Sequence, residues 1–194
     1  MSPASTISDD EAERAILRTA DNLFYARGVA AVTMSDIRDH SGVSMRRLYS
    51  HYPSKADLVA AWLHERHRRW MNWFTVTVDR HVATGTDALL ATFDAIGEWI
   101  ASPGYRGCAF VNAIAETGEI DARHRTIVAD HKHDLIRHLT TLATRDHPSV
   151  PDWVPAAIGV LLDGALVQCA VFDTDDPLAA ARTAARCLLE TIPT

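Results

Sequence analysis

A four-residue turn, Ser41-Gly42-Val43-Ser44, limits how this chain can fold more than any other stretch. It joins two short segments of helical patterning, one opening at Thr33 and the other running from Met45 to Tyr52. Gly42 permits the positive φ that a sharp helix–helix turn needs. Ser44 is placed to cap the second segment, whose Leu48 faces inward. Helices this short are not stable alone, so neighbouring elements must brace them.

The braces are legible on both sides. Ser8-Asp9-Asp10-Glu11 fits a capping box, and the helix that follows places Ile16, Ala20, Leu23 and Phe24 on one apolar face. Gly28 closes it. Thr33 caps the next helix, with Asp36 three residues on and Ile37 as its inward anchor. Pro53-Ser54-Lys55-Ala56-Asp57 supplies a turn and another capping box, opening a fourth helix through Leu58 and Trp62 towards Val78. Further on, the periodicity predicts a fifth helix with Leu89, Leu90, Phe93, Ile96 and Ile100, and a sixth over Cys108–Glu116 closed by Gly118. A long polar seventh spans Asp121 to Arg145, an apolar eighth Pro155 to Phe172, and an alanine-rich ninth Pro177 to Ile192. No useful strand-like alternation and no internal repeat is present. The expected fold is all-α, with about nine helices. It comprises an N-terminal helix-turn-helix domain over residues 1–55 and a helical C-terminal domain over 56–194.

Charge is distributed unevenly. The net value is −6, yet residues 1–70 hold 10 Lys+Arg against 9 Asp+Glu, and the remainder holds 9 against 16. The acidity therefore belongs to the C-terminal part. The segment after the turn is locally basic and aromatic, with Arg46, Arg47, Tyr49, His51 and Tyr52 within about two turns. A braced short helix with that tip suits insertion into a DNA major groove, where local sign matters more than the total. The polar, acidic N-terminus lacks the pattern of a signal peptide, and no run of about 18 uninterrupted apolar residues suggests a membrane span. A cytoplasmic location is expected. Cys108, Cys169 and Cys187 are odd in number and far apart, which gives no disulfide framework or zinc spacing.

Thr33-Met34-Ser35-Asp36-Ile37, Ser41-Gly42-Val43-Ser44 and Leu48-Tyr49-Ser50-His51-Tyr52-Pro53-Ser54-Lys55 together resemble the helix-turn-helix signature of the tetracycline-repressor (TetR) family. The similarity is close over residues 11 to 62 and extends in architecture to the whole chain. It implies a homodimeric transcriptional repressor that binds a palindromic double-stranded DNA operator and is released by a small-molecule effector. Thr33, Tyr49, His51 and Lys55 match positions that usually grip phosphates, Ser44 starts the reading helix, and Met45, Arg46 and Arg47 match positions facing base edges. An arginine that reaches guanine bidentately discriminates by roughly 1–3 kcal/mol, so Arg47→Ala should weaken specific binding by about that much. Arg38 departs from the family's usual alanine and is expected to tilt outward; His40 and the arginine at 47 are also unusual. A different function for the same head, protein contacts rather than DNA, leaves the pattern unchanged.

Elsewhere the residues give candidates. Asn112 and Glu116, four apart on an apolar segment, need partners or a ligand. With Trp73, Trp99, Cys108 and Phe110 they form a candidate effector set, each explained at least as well by packing. The dipole and Arg106 near Cys108 suit a reactive thiol, although a buried structural cysteine is the favoured reading. His64-Glu65-Arg66-His67 has the wrong spacing for a metalloprotease, and His124, His131 and His138 sit about 10.5 Å apart along one face, too far for two to share one ion. A solvated histidine face is expected, with no metal and no cofactor. No catalytic set is visible, so no enzyme is expected. Leu161, Leu162, Ala165, Leu166 and Leu188 are the candidate dimer residues on the last two helices, because an apolar stripe that large needs cover.

Overall fold

The computed structural model describes residues 7–116 and 122–191. Gly118, Asp121 and Ile192, expected as helix ends, lie outside the described residues. Within them there are nine α-helices and no strand. They are α1 Asp9–Arg27, α2 Met34–Ser41, α3 Met45–His51, α4 Lys55–Ala83, α5 Ala88–Ile100, α6 Ala109–Glu116, α7 Ala122–Asp146, α8 Trp153–Phe172 and α9 Asp176–Glu190. The chain forms two compact units, Met1–Arg66 with Phe110–Val128, and His67–Ala109 with Ala129–Thr194. The first unit thus runs past residue 55 and takes in a later segment of chain.

In the first unit the local signals act as their chemistry requires. Ser8 and Thr33 each complete a capping box, satisfying backbone N–H groups that a helix start leaves without partners. Gly42 follows α2 at φ 69°, a left-handed conformation in which a side chain would be strained. Ile16, Ala20, Ile37 and Leu48 are fully buried and form the small core between α1, α2 and α3. Phe24 meets Trp62 edge-on with ring centroids 5.2 Å apart. Asp21 then ties α1 to α4, accepting from Trp62 Nε1 at 2.7 Å and from Arg66 at 2.6 Å. The Arg66 guanidinium also lies 4.1 Å from the centroid of the Tyr25 ring. A buried arginine needs such partners, because stripping water from a charge without them costs several kcal/mol.

The later segment is pinned to the same unit by polar contacts. Arg123 Nη1 reaches Asp57 Oδ1 at 2.9 Å, and His124 Nε2 lies 2.9 Å from the Ala56 carbonyl. Glu116 accepts the backbone N–H of Val29.

The second unit is built on a larger apolar core in which Phe74, Leu89, Phe93, Leu139 and Ile158 are fully buried. Trp70 stacks on Phe74 at 4.8 Å with the planes 11° apart. Arg182 on α9 bonds Asp94 on α5 through two nitrogens, at 2.9 and 3.2 Å.

Two expectations are corrected here. Leu162, Ala165 and Leu166 are 1%, 3% and 6% exposed, within this core, so they have no surface left for a second subunit. Leu161 and Leu188 are half-buried. The outward face of α8 carries Val160, Val167 and Val171 instead, at 73%, 44% and 69% exposure. Apolarity all around α8 hid which face was inward. The histidine face of α7 is not solvated either: His124 and His131 are buried and His138 is half-buried. Partners make that possible, since His131 Nδ1 stands 3.0 Å from His67 Nδ1 and its ring meets Trp70 edge-on. Among the described residues no three His, Cys, Asp or Glu side chains gather as a metal site. Among the described residues one helix, α8, is long and apolar enough by composition to cross a membrane, and 44% of that window is buried inside the fold.

Candidate nucleic-acid interface

The turn and its caps fix α3 by its buried side. Leu48 is fully buried and Tyr52 nearly so, with the Tyr52 hydroxyl 3.3 Å from Glu13 Oε1 on α1. Burial and that carboxylate push the Tyr52 phenol well above its ordinary range, so it is neutral and donates. Ser44 Oγ accepts the N–H of Arg47 at the start of α3. With Leu48 committed inward, helical geometry leaves Arg46, Tyr49 and Ser50 on the outer face. All three are exposed, Tyr49 at 45%. Met45 and His51 are half-buried at its flanks.

The flanking residues stand at the two helix starts. Thr33 is exposed and its hydroxyl is held by Asp36 at 2.6 Å. Lys55 Nζ donates to the Ala30 carbonyl at 3.3 Å, which holds the ammonium beside the loop before α2. Partial burial lowers the Lys55 pKa, and Asp36 opposes that shift. Arg38 turns outward and pairs with Asp39 at 2.5 Å, and His40 Nδ1 lies 2.8 Å from the carbonyl of Asp36 on its own helix. Arg47 differs from its neighbour. Its guanidinium is bonded to Asp9 Oδ1 on α1 at 2.7 Å and its side chain is only 22% exposed.

This arrangement is a helix-turn-helix with an exposed arginine, an exposed tyrosine and flanking hydroxyl and ammonium donors. Residues 16–62 match the family described as bacterial regulatory proteins, tetR family. That segment is a TetR-family helix-turn-helix head. Over 60 residues it is 42% identical to the HTH-type transcriptional regulator TtgR of Pseudomonas putida, and that match spans 29% of each chain. Among solved structures the chain is similar to SCO4454, a TetR-family transcriptional regulator from Streptomyces coelicolor. The identity is 28%, the TM-score 0.78, and the coverage 94% of this chain and 96% of that one. A TetR transcriptional regulator from Chloroflexus aurantiacus J-10-FL shares the fold at 22% identity and a TM-score of 0.76, over 94% and 95% of the two chains.

The candidate effector residues are divided between the two units of the chain. In the second, Trp73 and Trp99 lie with ring centroids 4.9 Å apart, and Cys108 Sγ is 3.8 Å from Lys132 Nζ. Lys132 is itself bonded to Asp163 at 2.5 Å. The nearby thiol and carboxylate raise its pKa against the opposing effect of burial, which is the largest single influence. In the first unit Phe110 is buried, Asn112 is half-buried, and Glu116 is engaged with Val29. A groove of roughly 330 Å³ in the second unit is lined by His67, Met71, Asp134, Arg137, His138 and Thr141, none of them in the expected set. His138 Nε2 faces no partner there, and burial lowers the pKa of that imidazole. The spacing along α7 groups its own histidines but has no means of bringing His67 of α4 to them.

Proposed function

We propose that this protein is a ligand-responsive, homodimeric transcriptional repressor that binds a palindromic DNA operator. The observation that carries the reading is the outer face of α3, where Arg46 and Tyr49 stand exposed, with the donors Thr33 and Lys55 at the starts of the helices before and after it. Backbone contacts from Thr33, Tyr49, His51 and Lys55 would set the register of the helix, and Met45 and Arg46 would face base edges. Ser44 fixes the helix start. A dimer formed across the exposed valines of α8 and the small residues of α9 would present two reading helices roughly 35 Å apart, one helical turn of DNA. A cytoplasmic location suits that role.

A small effector would act by favouring a dimer whose reading helices no longer match that spacing, because a ligand shifts only towards the state it binds better. The groove beside α7, where His138 Nε2 has no partner, and the Trp73–Trp99 pair offer it polar and aromatic contacts in the second unit. A gel shift with the DNA adjoining the protein's own gene tests the reading. Salt-sensitive, sequence-selective retardation is expected, and retention only of non-specific binding would leave a head that serves protein contacts instead.

A further inference from the structure

Arg46 and Arg47 are adjacent in sequence, but consecutive helical positions point about 100° apart, so one face cannot present both. Arg46 is exposed and makes no ion pair among the described residues. Arg47 is largely covered, and its guanidinium is taken by Asp9, which lies in the first turn of α1, 38 residues earlier in the chain. The contact lowers the Asp9 carboxyl pKa, first through the hydrogen bond from Arg47 and then through its charge, so the carboxyl is ionised at neutral pH. Exposed ion pairs add little to stability, so the main consequence of this one is positional. It occupies one terminal nitrogen of the fork that would otherwise reach a guanine, and it offsets the Arg47 charge.

We propose, building on the DNA-binding reading above, that Arg46 is the arginine of α3 that reads a base edge, and that Asp9 makes Arg47 a positioning residue that fixes α3 against α1. Neither half of this assignment follows from the helix-turn-helix pattern, in which both arginines fall at reading positions. Bidentate recognition needs an unengaged planar fork, which Arg46 has and Arg47 lacks.

The test starts from a random duplex pool enriched on the full-length wild-type protein. R46A, R46K, R47A, D9N and the D9N/R47A double variant are then titrated against the enriched duplex and each of its single-base-pair changes, over a range of salt. R46A should flatten discrimination at one base pair by roughly tenfold to a hundredfold. R46K should lose the same discrimination while keeping the salt slope, because it retains the charge without the fork. R47A and D9N should lower affinity uniformly across the duplexes, and the double variant should be no weaker than R47A. Flattening by R47A with no effect of R46A would overturn the assignment while leaving DNA recognition intact. Failure of the wild type to enrich any sequence would overturn DNA recognition, and this assignment with it. Helical circular dichroism matching the wild type shows that a variant's loss is not unfolding.

Discussion

The Glu116 carboxylate accepts the backbone N–H of Val29, 87 residues away in the chain. It closes over Gly28, which ends α1 at φ 87°. A Cβ added at Gly28 would stand 2.5 Å from Glu116 Oε2. A residue expected to face a ligand is therefore a cap on the loop between α1 and α2.

Glu116→Ala should destabilise the first unit by about 1.5–3 kcal/mol, the usual worth of a hydrogen bond to a charged group. Glu116→Gln, which keeps an acceptor, should lose less. Gly28→Ala should be destabilising on its own, through both backbone strain and the collision with the carboxylate. Urea midpoints of the three variants check the order.

Asp21 serves two donors at once, Trp62 Nε1 and the Arg66 guanidinium. Asp21→Ala leaves a buried arginine with its Tyr25 contact but without that carboxylate, and should cost about 3–5 kcal/mol. The readout is a lower melting temperature together with a change in Trp62 fluorescence. An unchanged melting temperature would remove Asp21 from its place as the tie between α1 and α4.

His131 gives the fold a pH dependence of definite sign. Burial, then the charges of Lys132 and His67, push its pKa down to about 3. In the unfolded chain an imidazole titrates near 6.5, so between those values the unfolded state binds more protons. The stabilisation is whole above about pH 6.5 and is lost as the pH falls towards 3. Between pH 7.5 and pH 5.0 the wild type should lose about 2 kcal/mol through this group alone. His131→Gln should lose correspondingly less over the same interval, measured by urea unfolding at both pH values.

The outward valines of α8 bear on assembly. Val160→Asp puts a charge on a side chain that is 73% exposed, so the protomer should still fold. If that face is the dimer contact, two-fold symmetry doubles the penalty and the dissociation constant should rise by roughly a hundredfold or more. Sedimentation velocity distinguishes the two states. A Leu162→Ala variant should instead unfold more readily, since Leu162 is packed in the protomer core.

Phosphate contact is the remaining measurable property of the head. Lys55→Ala should weaken binding nearly uniformly across sequences and reduce the salt slope by about one. Its ammonium is already held by the Ala30 carbonyl, so little ordering is needed when DNA arrives.

What could be read from the sequence was what is local in it. The box at Ser8, the caps at Thr33 and Ser44 and the left-handed Gly42 each act within four residues of themselves, and each stands as expected. The inward faces of α1 and α5 were legible because each carries a single apolar stripe. On α8 apolar residues surround the axis, and the inward side was chosen by neighbours rather than by pattern. The histidines of α7 show the same limit: a seven-residue spacing places them on one face without saying what covers it.

The turn at Ser41–Ser44 set where α2 ends and α3 begins, because a glycine at φ 69° closes the one and a serine cap opens the other. Tertiary structure alone decided which arginine on that helix is engaged, since Asp9 reaches Arg47 only once α1 is folded beside it. It also gave Glu116 to Val29 and His67 to His131. Those pairs depend on the paths of whole helices, and helix paths are set by the packing of buried faces drawn from distant parts of the chain.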